Sequence, residues 1–89
     1  MCAVITVVGK DTVGIIAEVS QILKTHKINI LDITQSILDD LFVMVMLTDI
    51  SSTTLQLPAL TEAMNTLGEQ LGLKIHVMHE DVFNSMHRV

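Results

Sequence analysis

Tryptophan and tyrosine are missing from this 89-residue chain, and phenylalanine occurs only twice. Cysteine and proline appear once each, and lysine plus arginine number five against ten aspartates and glutamates. Each scarcity excludes a class of function. Binding to nucleic acid rests on cations that neutralise phosphates and on aromatic faces that stack on bases. A chain of net charge −5 with two aromatic residues supplies neither. The lone Cys2 permits no internal disulfide. No apolar run reaches the roughly 18–20 residues that cross a bilayer. The start, Met1-Cys2-Ala3-Val4, lacks the basic n-region of a signal peptide. A cytoplasmic location is the expectation.

What the chain has is apolar surface. Hydrophobic residues make up 49% of it, and its mean hydropathy is +0.56. A domain this small has little interior, so the surplus must meet another surface, which points to self-association. Residues 1–89 read as a single domain, with 79–89 as a C-terminal tail.

Ala3 to Val8 form a β-branched run, apolar on both faces except at Thr6. Ile15, Ile16, Val19, Ile22 and Leu23 then recur at helical spacing, with Glu18, Gln21 and Lys24 facing away. Asp11 or Thr12 can cap that helix, and Thr25-His26-Lys27 ends it. The next segment slips phase: Ile28 and Ile30 share one parity, Leu31, Ile33 and Ile37 the other. Either a bulge sits near Asn29–Leu31 or the regular strand starts only at about Leu31. Asp39-Asp40 makes a tight turn into a third strand, Leu41 to Leu47. After the polar loop Ser51–Thr54, Pro58 suits a first helical turn, and Leu60, Met64, Leu67 and Leu71 mark one stripe. Gly72 stops the helix, Leu73 to Met78 alternate as a fourth strand, and Glu80 to His87 suit a short helix.

Strand, helix, strand, strand, helix, strand is the ferredoxin-like βαββαβ order, an α+β fold. Right-handed crossovers place both helices on one face of a four-stranded antiparallel sheet. The other face is left bare, yet the first and third strands are apolar on both sides. A second sheet or an edge-joined partner is expected to cover it, because apolar burial contributes roughly 25 cal/mol per Å².

The segment Gly9-Lys10-Asp11-Thr12-Val13-Gly14-Ile15 joins the first strand to the first helix. A glycine-bounded turn at a helix start gathers unpaired N–H groups at the positive end of the helix dipole, which suits a carboxylate or phosphate. Plainer readings stand beside this one. Asp11 can serve as an N-cap alone, the glycines can serve turn geometry and packing, and Asn29 can cap a turn. Other tenants of the fold fit poorly. RNA recognition needs aromatics on the bare face, a metallochaperone needs paired thiols, and an acyl-phosphate hydrolase needs an arginine in the first loop. The only arginine here is Arg88.

The strand, Gly-x-Asp-x-x-Gly-Ile turn and helix, followed by Lys27-Ile28-Asn29-Ile30-Leu31-Asp32-Ile33, resemble the ACT domain. ACT domains are small-molecule-sensing regulatory modules, many of which bind amino acids. The whole chain is similar to the small stand-alone ACT-domain proteins of bacteria and archaea. It is also similar to the ACT halves of glycine-cleavage regulators and formyltetrahydrofolate deformylases. The resemblance implies a ligand held between the first loop of one subunit and the second strand of its neighbour. The implied contacts are Lys10, Asp11, Thr12, Val13, Gly14 and Ile15, with Asn29, Ile30 and Leu31 across the interface. Many family members carry proline where this chain has Val13, and its absence leaves the loop less rigid.

His76 and His79 with Glu80 and Asp81 show no regular zinc spacing, so neither a metal nor another cofactor is expected. The one loop carboxylate, Asp11 beside Lys10, has no acid–base partner nearby in sequence, which argues against an enzyme. The expectation is a homodimeric regulatory module for an amino-acid-like metabolite, acting on a protein partner. The alternative is a protein-interaction adaptor with a vestigial pocket.

Overall fold

The computed structural model describes residues 2–10, 14–53 and 56–86. Its elements run β1 (Cys2–Lys10), α1 (Ile15–Thr25), β2 (Asn29–Leu38), β3 (Leu41–Asp49), α2 (Leu57–Leu71), β4 (Leu73–His79) and α3 (Glu80–Met86). The strands form one sheet in the order β2-β3-β1-β4, and every neighbouring pair is antiparallel. This is the expected ferredoxin-like βαββαβ fold with a short C-terminal helix.

The two periodicities meet in one core. Ile15, Val19 and Leu23 of α1 and Leu60, Met64 and Leu67 of α2 are buried. They pack on Ile5, Val7, Phe42, Met44, Met46, Leu73 and Ile75 from three strands. Thr48 is buried among them, and its hydroxyl donates to the Ala3 carbonyl at 2.8 Å, so its polarity is satisfied. Pro58 lies in the first turn of α2, where a missing N–H costs nothing, and Gly72 ends the helix in the left-handed region at φ 72.

The phase slip resolves as a bulge. Ile30 pairs with Thr48 and Asp32 with Leu47, leaving Leu31 as the extra residue. One inserted residue brings Ile30 and Ile33 to the same face despite their opposite parity. The strand starts at Asn29, ahead of the bulge.

Two features depart from the sequence reading. Gly9 and Lys10 belong to β1, paired with Phe42 and Leu41, so the turn is shorter than Gly9–Ile15. Gly9 makes room in the packing: a Cβ there would sit 2.5 Å from Leu73 Cδ2 and 3.1 Å from Leu73 Cα. The helix-free face is also not wholly bare. The C-terminal helix contacts β1 and β4, and Val4, on that face, is only 3% exposed. Beyond it lies an apolar cleft of about 420 Å³ lined by Thr6, Val8, Val43, Val45, His76, Met78 and Phe83.

Edge strand β2 has no such cover. Residues 31–40 are all exposed, among them Leu31, Ile33, Ile37 and Leu38. Leu41 and Ile16, exposed as well, lie beside it on β3 and α1.

Candidate functional site

At the start of α1, Gly14 occupies the N-cap position with φ 91 and ψ 5, and it makes no side-chain cap hydrogen bond. Asp11, Thr12 and Val13 lie outside the described residues, but the cap position itself belongs to Gly14. The first intrahelical bond runs from the Glu18 N–H to the Gly14 carbonyl at 2.9 Å. The first N–H groups of such a helix have no partner within it. Gly14, Ile15, Ile16 and Ala17 line an open cleft of about 280 Å³ with Gln35, Ile37 and Phe42. Ile15 is 2% exposed, with its side chain in the core. Lys10 is exposed at the end of β1. Sequence reasoning missed Gln35, although strand alternation already placed it on one face with Ile33 and Ile37.

At the other end of α1 the chain makes a tight, fully bonded stop. The Ile28 N–H donates to the Leu23 carbonyl at 2.8 Å, and the Lys27 N–H to the Lys24 carbonyl at 3.1 Å. This is the Schellman pattern, with buried Leu23 and Ile28 as its apolar contact. Lys27 fills the position usually held by glycine, at φ 59. The stop aims Asn29 into β2 opposite Asp49. Lys24, Lys27, Ile28, Asn29, Asp49 and Ser52 then surround an open cleft of about 390 Å³. Asp49 Oδ1 accepts from the Ser51 hydroxyl at 2.6 Å and the Ser51 N–H at 2.9 Å. Those bonds hold its carboxyl below the usual range. Ile30 is half-buried against the core, and Leu31, at the bulge, is 51% exposed.

These two ends do not meet within one chain. Asn29 shares a row with Asp49 and Cys2, whereas Lys10 shares one with Leu41 and Leu38. Eight strand steps separate the rows, about 26 Å at ~3.3 Å each. The chain thus carries two half-sites: helix N–H groups over an apolar wall at one end, two lysines, a carboxylate and an amide at the other.

Other reactive groups stand apart. Burial and the neighbouring Glu80 carboxylate push the Cys2 thiol above its ordinary value, away from the nucleophilic thiolate. His79 Nδ1 accepts from the Asp81 N–H at 3.1 Å and lies 3.6 Å from the Asp81 carboxylate. Among the described residues no three of His, Cys, Asp and Glu converge as metal donors. No described helix is long and apolar enough to cross a membrane.

The comparisons agree with the architecture. A UPF0237 protein of Clostridium perfringens is 54% identical over 89 residues, covering 100% of both chains. The solved structure of an ACT domain protein from Streptococcus pneumoniae superposes with a TM-score of 0.82 at 36% identity, over 93% of each chain. A formyltetrahydrofolate deformylase from Pseudomonas syringae shares the fold alone. Its TM-score is 0.80 at 20% identity, over 86% of this chain and 26% of that one. The family model for the ACT domain matches residues 2–78, which span both half-sites and all four strands. By sequence and by fold together, this chain belongs to the ACT domain family, whose members are generally small-molecule-binding regulatory modules.

Proposed function

We propose that the chain acts without catalysis, as a homodimer that binds an amino-acid-like metabolite between its subunits. The observation that carries this reading is the exposed edge strand β2, whose two ends belong to different half-sites. A two-fold axis through β2 would pair it antiparallel with its copy. The Asn29 end of one strand then lies beside the Leu38 end of the other, in the row of Lys10. That operation brings Asn29, Ile30 and Leu31 toward the Lys10–Ile15 segment of the neighbour. It also removes Leu31, Ile33 and Ile37 from water, each half-exposed side chain contributing on the order of 1 kcal/mol.

In the assembled site a carboxylate is received by N–H groups at the start of α1, with Gly14 admitting it close to the backbone. The ligand's ammonium meets the Asn29 side-chain oxygen or the Asp11 carboxylate. Because the ligand touches both chains, it tightens the dimer and can report metabolite level to a regulated protein.

Sedimentation equilibrium and a thermal-shift panel of the common amino acids test the reading together. The native chain is expected to be dimeric and stabilised by one or a few of them. Ile37→Lys is expected to yield a folded monomer that no panel member stabilises. A dimeric wild type indifferent to every amino acid overturns the ligand and favours the adaptor alternative. A monomeric wild type overturns the shared site.

A further inference from the structure

The cleft at the end of α1 carries a distinct charge pattern. The chain holds only five lysines and arginines, yet Lys24 and Lys27 both line this one cleft. Opposite them stands Asp49, with its Oδ1 already engaged by Ser51. Asn29 and Ser52 add an amide and a hydroxyl above the buried floor of Ile28. The carbonyls at the helix end do not need the lysines as donors. The carbonyls of Ile22, Leu23 and Lys24 already accept from the N–H groups of His26, Ile28 and Lys27.

With the α-carboxylate given to the helix start of the neighbouring subunit, the two ammonium groups, the carboxylate and the amide of this cleft are complemented by a ligand's ammonium and a second acidic group. A neutral amino acid leaves both lysines unanswered. From this juxtaposition we infer that Lys24, Lys27 and Asp49 set the specificity of the site, selecting amino acids that carry a second acidic group. This rests on the proposed reading that the ligand sits against Asn29. The ligand's ammonium, set against the Asn29 side-chain oxygen, is shared with Asp49 opposite it in register, and its side-chain acid lies between Lys24 and Lys27. Its α-carboxylate remains for the helix start of the neighbouring subunit. The second acid can be a carboxylate or a phosphate, since both accept from lysine.

Near-isosteric pairs test this by isothermal titration of the wild-type protein: L-glutamate against L-glutamine, L-aspartate against L-asparagine, and O-phospho-L-serine against L-serine. At least one acidic member is expected to bind about tenfold more tightly than its neutral mate, equivalent to about 1.4 kcal/mol. That preference should shrink as salt is raised. Which acid binds separates carboxylate from phosphate. In the exposed double variant Lys24→Met/Lys27→Met the preference is expected to fall to parity, and a preference that survives overturns the assignment to these lysines. Equal binding of acid and neutral mate by the wild type overturns the specificity inference and leaves the interface site standing. Failure of all six to bind counts against the interface site itself.

Discussion

Replacing Gly14 with alanine isolates a backbone cost at the head of the candidate site. A Cβ built there meets nothing within 4 Å, so no steric clash contributes. The residue sits at φ 91 and ψ 5, and holding an L side chain in the left-handed region costs about 1–2 kcal/mol. Against this, alanine stiffens the unfolded chain, which returns about 0.4–1 kcal/mol. The net expectation is a loss of about 1 kcal/mol, or a fall in Tm of about 4–8 °C for a domain of this size. Gly72→Ala is the matched control. It too opens onto empty space, but at φ 72 and ψ 32. That is nearer the left-handed well around φ +57 and ψ +47 that side chains tolerate, so it should lose less. Urea unfolding at fixed protomer concentration reads both variants, through midpoints that move while the slope stays constant. An unchanged midpoint for Gly14→Ala, or a larger loss at Gly72, refutes the strain argument.

Lys27→Gly should raise the thermal midpoint, because glycine relieves the left-handed strain at φ 59; the net gain is about 0.5 kcal/mol after the added unfolded-state freedom. The same change removes one of the two proposed specificity charges, so stability and discrimination between glutamate and glutamine should move in opposite directions. Asp49 yields a pH prediction from its lowered carboxyl. A depressed folded-state value stabilises above the unfolded value, and that benefit is lost as pH falls through the folded one. Ser51→Ala removes the 2.6 Å hydroxyl bond. Its deficit relative to wild type should therefore be full at neutral pH and vanish in strong acid. Thermal melts across that range check it, and a deficit independent of pH contradicts the assignment.

The elements were legible wherever one residue's neighbours in sequence are also its neighbours in space. The stripes of α1 and α2 and the alternation of β4 are local patterns, and the phase slip at Ile28–Ile33 announced the bulge because a single inserted residue flips the parity. Gly9 stayed ambiguous between turn and packing for the opposite reason. A glycine that turns the chain and one that makes room for a distant side chain look alike in sequence, and Leu73 reaches Gly9 only once β4 has paired with β1. The cleft of Lys24, Lys27 and Asp49 was illegible on the same ground, since it needs the end of α1 beside the end of β3. Nor did the sequence of the tail say which face α3 would cover. Val4 is where that docking is recorded.

In the proposed dimer, the crossover topology would tie ligand binding to assembly in a way that loop sequences alone do not. In this strand–helix–strand unit, α1 carries the chain from the end of β1 back to the start of β2. Its two termini therefore face opposite ends of the sheet. A ligand using the N–H groups at one terminus and the charges beside the other cannot be held by one copy. In the proposed dimer, pairing through β2 would make the two requirements one, since the same two-fold would cover the apolar edge and complete two equal sites. Ligand affinity would then depend on protein concentration, because dimerisation would be part of binding. Stabilisation follows RT ln(1 + [L]/Kd) per site only when the dimer is already formed. Dilution below the dimer's dissociation constant should weaken the apparent ligand affinity, whereas a site contained within one chain would be unaffected. Such coupling would let a small metabolite change the surface that the proposed pair offers to a partner.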